Sequence, residues 1–330
     1  MNENYITVHG KKKSEDIIML KYMFKNLRKL GEVWSKSDFK YAMKYLESEI
    51  LKSNLKQIVF FGVEYGWKNV IKKIKENHKE IKIKVICNTS SALLYYDYER
   101  NNFFEMLALQ KEGIIDNIAF LKKDMYECYT KLGYNTSYLK ENIVVNKKLY
   151  DKCINSNKNI KKNSKLINIG IYILNYVWDK NIFNQLSVAK FVENSNINYF
   201  SLDERMDDFL KNMKIMNKSV QINEILEKNV IKELVKNDIN VSCTFTEYFH
   251  VIPLLSLECL VPCIVGNNSY LFSDELKEYI VIDSEDNPIE ISEKIKKCLE
   301  NKEKIIQLYK EWKFKYNEES KISINEFLNK

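Results

Sequence analysis

The stretch from Asp238 to Tyr270 constrains the fold more than any other part of the chain. Residues 239–245 are β-branched and apolar, with Cys and Ser interspersed, as expected of a buried parallel strand. Pro253 then precedes an apolar run, 254–260, that fits one buried helix, because proline is tolerated in the first helical turn. A second short apolar segment, 263–265, follows the helix. The pattern predicts strand, loop, helix and strand, which is the repeating unit of a parallel α/β sheet.

Polar residues follow both predicted strands of this stretch, where ligands bind in open α/β sheets. Glu247 comes directly after the first strand, and an ionised carboxylate makes strong hydrogen bonds to the donor groups of a ligand. A turn follows the second strand, and its residue types favour exposed backbone N–H groups that can bind a ligand. The sequence therefore predicts that Glu247 lies on one rim with the residues of this turn: Gly266, Asn267, Asn268 and Ser269.

The same stretch resembles the donor-binding core of the GT-B glycosyltransferases, specifically the retaining family-4-like group. The pattern of that group is a Glu, seven residues, a second Glu, and a helix that ends in Cys-Gly-Val-Pro. Residues 259–262 read Cys-Leu-Val-Pro, and Glu247 falls on the first Glu of the pattern. The second position falls on Leu255, and Glu258, about one helical turn away, is the candidate substitute for the missing carboxylate. The resemblance implies that Glu247 orients the donor sugar.

The resemblance extends to the start of the second half of the chain, from Asn168 to Asn181. There the family has a strand followed by a turn with a Lys that contacts the donor diphosphate, and Lys180 matches this Lys. An ammonium group near a helix start attracts phosphate, so this role is chemically sensible. The family also has an Arg about six residues earlier, where this chain has Leu174. Lys180 and Glu247 are therefore the expected catalytic residues, and both also bind the donor.

A loop in the first half of the chain is the candidate acceptor side. In the family, a His often lies in such a loop near the reacting sugar carbon, and the loop after the predicted strand 81–87 is the matching place. This chain has Asn88, Thr89 and Ser90 there, whose amide and hydroxyl groups suit an acceptor sugar. A helix start capped by these side chains is the alternative.

The alternation of predicted strands and helices along all 330 residues indicates an α/β chain with two Rossmann-like domains. Residues 1–140 form the predicted acceptor-side domain, in which we expect a helix over Ser14–Leu30 and a strand over Glu32–Trp34. The polar residues 141–165 are the predicted linker, and residues 166–315 the nucleotide-sugar donor domain. The tail, 316–330, is considered as a helix that returns to the first domain. The GT-B resemblance implies a cleft between the two domains.

Composition limits the other function classes. The chain has seven Cys without a CxxC pair and only three His, so we expect no metal site. It also has no Asp-x-Asp, which argues against a metal-bound sugar nucleotide. The net charge of +7 comes without a clustered basic and aromatic stripe, so we expect no nucleic-acid partner. No apolar run is long enough to span a membrane, so a cytoplasmic protein is expected, with peripheral contact at the inner membrane face as an open alternative.

The resemblance implies a glycosyltransferase that moves a sugar from a nucleotide-diphosphate-sugar to an acceptor, with retention and without a metal. The acceptor could be a cell-surface glycan, a lipid-linked saccharide or a protein. The nucleotide-sugar is a co-substrate, and no further cofactor is expected. The missing Arg, second Glu and His favour an alternative, in which the chain is a non-catalytic GT-B-like partner subunit of a glycosyltransferase complex. A third alternative is another sugar-phosphate enzyme of the same double-Rossmann form, such as an epimerase.

Overall fold

The computed structural model divides the chain into two compact units. The N-terminal unit comprises Met1–Val144 and Tyr316–Lys330, and the C-terminal unit comprises Val145–Lys315. The structure describes residues 5–9, 23–24, 26–64, 66–143, 147–158, 166–173, 177–201, 205–215, 219–221, 227–246, 251–269 and 271–330.

A six-stranded parallel sheet forms the centre of the N-terminal unit, with the strand order β2-β1-β3-β4-β5-β6. Its strands are β1 (Tyr5–His9), β2 (Leu27–Lys29), β3 (Gln57–Phe61), β4 (Lys82–Cys87), β5 (Asn117–Phe120) and β6 (Thr136–Tyr138). The Ile, Val and Phe side chains of β3 and β4 are almost fully buried because helices cover the sheet. The order reverses direction between β1 and β3, so the switch point of this sheet lies at their carboxyl ends.

The helices of this unit are α1 (Lys36–Ser53), α2 (Trp67–Asn77), α3 (Asp97–Lys111) and α4 (Lys123–Lys131). Helix α1 begins at a capping box, in which the Ser35 side chain accepts from the Asp38 N–H and Asp38 accepts from the Ser35 N–H. It ends at Asn54, whose left-handed backbone (φ 46°) suits an Asn side chain. Its buried face, Ala42, Met43, Leu46 and Ile50, follows the helical period.

The C-terminal unit contains a five-stranded parallel sheet with the order β11-β10-β7-β8-β9. Its strands are β7 (Ile167–Tyr172), β8 (Ser195–Ser201), β9 (Ser219–Gln221), β10 (Ile239–Ser242) and β11 (Cys263–Val265). The later helices are α5 (Lys147–Lys158), α6 (Ile182–Ser187), α7 (Arg205–Asn212), α8 (Glu227–Leu234), α9 (Val251–Glu258), α10 (Asp274–Ile280), α11 (Pro288–Glu300) and α12 (Lys302–Asn329). The two Rossmann-like sheets predicted from the alternation of elements are thus confirmed.

The end of α12 belongs to the N-terminal unit and is held by polar side chains of the central strands. Lys84 on β4 is buried, and its Nζ donates to the carbonyls of Phe327 (2.6 Å) and Leu328 (3.1 Å). Gln57 also donates to the Leu328 carbonyl. A cation and an amide thereby satisfy carbonyls that a helix end leaves free. Burial lowers the pKa of Lys84 to about 8.

Two short elements near the N-terminus differ from the sequence prediction. Leu27–Lys29 is strand β2, whereas we predicted a helix up to Leu30; residues 14–22 of that helix lie outside the described residues. Residues 32–34 form no strand. Three residues paired with β1 make an edge strand too short to show a period of two, so periodicity could not separate it from a helix end. No helix among the described residues has the length and apolar character that a membrane span requires.

Candidate functional site

The candidate site lies in the C-terminal unit, at the carboxyl ends of β7 and β10. The strand order reverses between these two strands, since β8 and β9 extend to one side of β7 and β11 lies beyond β10. Loops that follow strands on either side of such a switch point leave a crevice for a ligand. Here the loops are tied together, because the Phe245 N–H donates to the Asp179 carbonyl at 2.9 Å. The site predicted around Lys180 therefore has a defined backbone frame.

Lys180 ends a short 3-10 turn, Trp178–Lys180, that follows β7. Its Nζ lies 3.4 Å from Oδ2 of Asp179, a carboxylate that is 3% exposed. Its carbonyl accepts from Nε2 of Gln185 at 2.7 Å, and Oε1 of the same Gln185 accepts from the Cys243 N–H at 3.0 Å. The backbone of Lys180 is thus fixed to the end of β10 through one buried amide. This places a partly buried cation at the switch point.

Asn181 is a structural residue of the site that the sequence analysis missed. Its backbone is left-handed (φ 51°), which Asn adopts more readily than most residues. Its buried side chain donates to the carbonyls of Cys243 (2.8 Å) and Glu285. It therefore joins the turn after β7 to the end of β10 and to the loop before α11. The only sequence signal was an Asn directly before an apolar helical segment.

The turn after β11 begins at Gly266 and continues as a 3-10 turn, Asn267–Ser269. The Asn268 N–H donates to Oε1 of Glu285 at 3.0 Å, and its side-chain amide donates to Glu285 and to the Thr244 carbonyl. A Cβ on Gly266 would lie 2.7 Å from the Glu285 side chain. Because glycine lacks this atom, Glu285 can lie close enough to accept from the Asn268 N–H. The predicted turn is thus beside the end of β10, but Glu285 already occupies the Asn268 N–H.

Glu258 is not brought to this rim. Helix α9 follows β10 and precedes β11, so it runs from the carboxyl ends of the strands back toward their amino ends. Its last residue, Glu258, therefore lies toward the amino ends of the strands. There the Glu258 carboxylate accepts from the Tyr309 hydroxyl at 2.6 Å and pairs with Lys313 of α12. Burial, followed by the Glu258 charge, raises the pKa of Tyr309 well above its ordinary value. The structure therefore gives Glu258 a structural contact instead of a donor-site contact.

Leu255, which occupies the position of the family's second Glu, packs in a buried apolar cluster of the C-terminal unit. Glu247 and the position of the missing Arg, Leu174, lie outside the described residues. The last described residue before Glu247 is Thr246, which is buried.

Two aromatic side chains flank the switch point and were not predicted as site residues. Trp178 and Phe245 stack with ring centroids 6.3 Å apart and an interplanar angle of 25°. Trp178 is 49% exposed and Phe245 is 37% exposed. Since one follows β7 and the other follows β10, only the tertiary structure brings them together.

The predicted acceptor-side residues follow β4 in the N-terminal unit. Thr89 and Ser90 are buried, Asn88 is half-buried, and the Thr89 hydroxyl has no hydrogen-bond partner among the described residues. Burial raises the pKa of the neighbouring Cys87 thiol to about 12, so this thiol is neutral and a poor nucleophile.

A histidine does lie on this rim, at a place that the sequence analysis did not consider. His9 ends β1, at the switch point between β1 and β3, whereas we looked for a His after β4. Its ring is buried and lies 5.2 Å from that of Phe61, at the end of β3. Within the part of the chain that the structure describes, no three His, Cys, Asp or Glu side chains form a group that could hold a metal ion, and metal independence stays a prediction.

The fold is that of the GT-B glycosyltransferases, as expected from the sequence. A sucrose-phosphate synthase from Thermosynechococcus elongatus superposes with a TM-score of 0.65 at 9% identity, over 98% of this chain and 95% of that one. HepE from Anabaena, solved in complex with UDP, gives a TM-score of 0.66 at 8% identity, over 98% and 97%. A UDP-forming α,α-trehalose-phosphate synthase from Burkholderia xenovorans gives 0.65 at 9%, over 99% and 98%.

No protein-family model matches the sequence, and no curated protein matches it. The similarity is therefore one of fold, and it extends over nearly the whole chain.

Proposed function

We propose that this protein is a glycosyltransferase that moves a sugar from a nucleotide-diphosphate-sugar to an acceptor. The observation that carries the proposal is Lys180, a partly buried cation fixed at the switch point of the C-terminal sheet in a chain of GT-B fold. Two proteins of this fold support a nucleotide donor, since one is described as UDP-forming and the other was solved in complex with UDP. The acceptor is proposed to be a cell-surface glycan, a lipid-linked saccharide or a protein.

In this proposal, Lys180 neutralises the negative charge that develops on the leaving diphosphate. Such a group acts best when it is already in place, because no reorganisation is then needed during the reaction. The hydrogen bonds between Lys180, Gln185 and Cys243 supply this rigidity. The buried Asp179 carboxylate holds the ammonium group by charge. Glu247 is proposed to orient the donor sugar, with retention at its reacting carbon and without a metal ion.

A second candidate function is that of a non-catalytic partner subunit of a glycosyltransferase complex. The burial of Leu255 favours it, because the family's second carboxylate is replaced there by a core residue. For both candidates we propose a cytoplasmic location. They differ in whether the purified chain binds a nucleotide-sugar and turns it over.

Nucleotide binding tests the proposal. We expect calorimetry and thermal shift to show saturable binding of one of UDP, GDP and CDP or of its sugar conjugates, unchanged by a chelator of divalent ions. Lys180→Ala should weaken this affinity by about 10- to 100-fold, as expected for loss of one hydrogen bond to a charged group. Lys190→Ala is the matched control, because its ammonium group donates to the Lys214 carbonyl at an exposed site of the same unit.

If no nucleotide binds to the wild-type protein, the glycosyltransferase proposal fails, and the result supports the function as a non-catalytic partner subunit. If a nucleotide-sugar binds, slow release of free sugar separates the two functions, since a non-catalytic subunit releases none. Glu247→Ala is expected to abolish that release while nucleoside diphosphate binding remains.

A further inference from the structure

We propose that Trp178 and Phe245 form a platform on which the sugar ring of the donor stacks. We call these two residues the aromatic pair. The inference rests on the proposed function and deepens it, because it names the part of the donor that the pair binds. The two rings are nearly parallel and offset from each other, which is a favourable arrangement for aromatic side chains.

The backbone on both sides holds the aromatic pair in place. The Phe245 N–H donates to the Asp179 carbonyl at 2.9 Å, and the Asn181 N–H donates to the Trp178 carbonyl at 3.1 Å. The buried Asn181 side chain also donates to the carbonyl of Cys243, two residues before Phe245. A ligand that stacks on the pair therefore does not have to order these two segments, which lowers the entropic cost of binding.

The aromatic pair remains accessible although each ring covers part of the other. Trp178 keeps about half of its surface exposed, whereas Trp67 and Trp312 are 3% and 6% exposed. Exposed aromatic surface next to a few polar groups is the usual composition of a small-molecule site. Here the neighbouring polar group is Lys180, so the pair extends the candidate donor site by an apolar surface.

The chain positions of the aromatic pair favour the donor sugar over the nucleobase. Lys180 follows Trp178 by two residues, and Glu247 follows Phe245 by two residues. Two residues of chain span at most about 7 Å. In the proposed function, Lys180 binds the diphosphate and Glu247 orients the sugar. The pair therefore lies beside both groups that contact the bond between diphosphate and sugar.

The chemistry of the donor leads to the same choice. In a nucleotide-diphosphate-sugar the sugar is bonded directly to the diphosphate, whereas the ribose separates the base from it. The C–H groups on one face of a pyranose ring can cover an aromatic ring, which removes apolar surface from water. The hydroxyl groups at the edge of the same ring remain available to a carboxylate such as that of Glu247.

Calorimetry with matched ligands tests the inference. The probes are UDP, GDP and CDP, together with UDP-glucose, UDP-galactose, UDP-N-acetylglucosamine, GDP-mannose and CDP-glucose. Trp178→Ala should weaken the affinity for the conjugate about tenfold and change that for the diphosphate less than about twofold. Phe245→Ala should act in the same direction. Trp178→Phe should keep most of the conjugate affinity, because an aromatic ring remains.

Phe191→Ala is the matched control for the aromatic pair. Phe191 is 40% exposed, close to the 37% of Phe245, and it belongs to the same unit. It follows α6 and precedes β8, so it lies toward the amino ends of the strands, away from the candidate site. We expect this variant to bind the conjugate and the diphosphate as the wild type does.

Tryptophan fluorescence gives a second measurement. Of the four tryptophans, only Trp34 and Trp178 are exposed. A sugar that covers the Trp178 ring should shift the emission to shorter wavelength, and the diphosphate alone should shift it less. Trp178→Phe should abolish the shift, and Trp34→Phe should keep it.

Three results would overturn the inference. Equal weakening of diphosphate and conjugate by Trp178→Ala would assign the aromatic pair to the base. Unchanged affinity for both ligands in Trp178→Ala and Phe245→Ala would place the pair outside the donor site, as would a wild type that binds a diphosphate but none of the conjugates. These results differ from failure of the proposed function, in which the wild type binds neither diphosphate nor conjugate.

Discussion

Replacing Gly170 by alanine is expected to destabilise the C-terminal unit by at least about 3 kcal/mol, from overpacking and displaced buried amides together. Gly170 lies in the middle of β7, where an added Cβ would come within 2.0 Å of Asn240 Oδ1 and 2.1 Å of Asn237 Nδ2. Both of these side chains are buried, and neither is the free end of a flexible chain. Alanine would therefore force at least one amide out of its place.

The amides beside Gly170 belong to a hydrogen-bonded row across the sheet. Asn198 on β8 donates to Asn237 (2.8 Å), Asn237 donates to Asn240 on β10 (2.7 Å), and Asn240 donates to Ser256 of α9 (2.7 Å). Displacing one member leaves buried donors and acceptors unpaired, and each such group costs about 1 to 3 kcal/mol. Because of this row, a methyl group added at Gly170 would disturb contacts of three strands and a helix.

Thermal unfolding and hydrogen exchange of the C-terminal unit measure this effect. We expect Gly170→Ala to raise exchange in β7, β8 and β10 while the N-terminal unit is unchanged. Gly113→Ala is the control, because its Cβ would meet nothing within 4 Å and its left-handed backbone (φ 73°) costs only about 1 kcal/mol. An alanine at 170 that leaves exchange at the wild-type rate would show that the amide row tolerates the added methyl group.

The second large effect is a dependence of stability on pH that originates at Glu141. This carboxyl group is buried in the N-terminal unit and accepts from the Tyr316 hydroxyl at 2.8 Å. Burial raises its pKa from 4.5 to about 7, although the hydrogen bonds and the charges of Lys122 and Lys140 act in the opposite direction. The folded unit therefore keeps a proton on Glu141 at a pH where the unfolded chain has lost it.

The sign of the effect follows from this difference in bound protons. The contribution of Glu141 to the stability of the N-terminal unit is fully present below pH 4.5 and is lost as the pH rises through about 7. The shift corresponds to about 3 kcal/mol, since one pKa unit equals about 1.4 kcal/mol. Glu141→Gln should remove this dependence and make the N-terminal unit more stable than the wild type above neutral pH.

Hydrogen exchange of the N-terminal unit at several pH values, corrected for the intrinsic exchange rate, measures the difference between wild type and Glu141→Gln. Glu319→Gln is the matched control, because Glu319 pairs with Lys140 but its side chain is 56% exposed. It should keep the wild-type dependence. A difference between wild type and Glu141→Gln that is constant across pH would mean that Glu141 titrates at an ordinary carboxyl pKa.

The sequence by itself determined the architecture. Its alternation of apolar strands and amphipathic helices predicted two Rossmann-like sheets, because each period of hydrophobicity matches one kind of element. It also predicted the turn at Gly266 after a strand, since residues after parallel strands share a rim, whereas Lys180 was expected only from the GT-B resemblance. These are local features, readable from neighbours in the chain.

Only the tertiary structure decided which side chains meet. Trp178 and Phe245 stack across 67 residues, and Asn181 reaches Glu285 across 104 residues. Glu258 has a carboxylate that could bind a ligand, and it lies near the expected position in the sequence. In the structure, however, it contacts Tyr309 and Lys313 toward the amino ends of the strands. The physical reason is that hydrophobic period specifies an element and its buried face, whereas contacts between elements depend on packing and hydrogen bonds that sequence spacing does not encode.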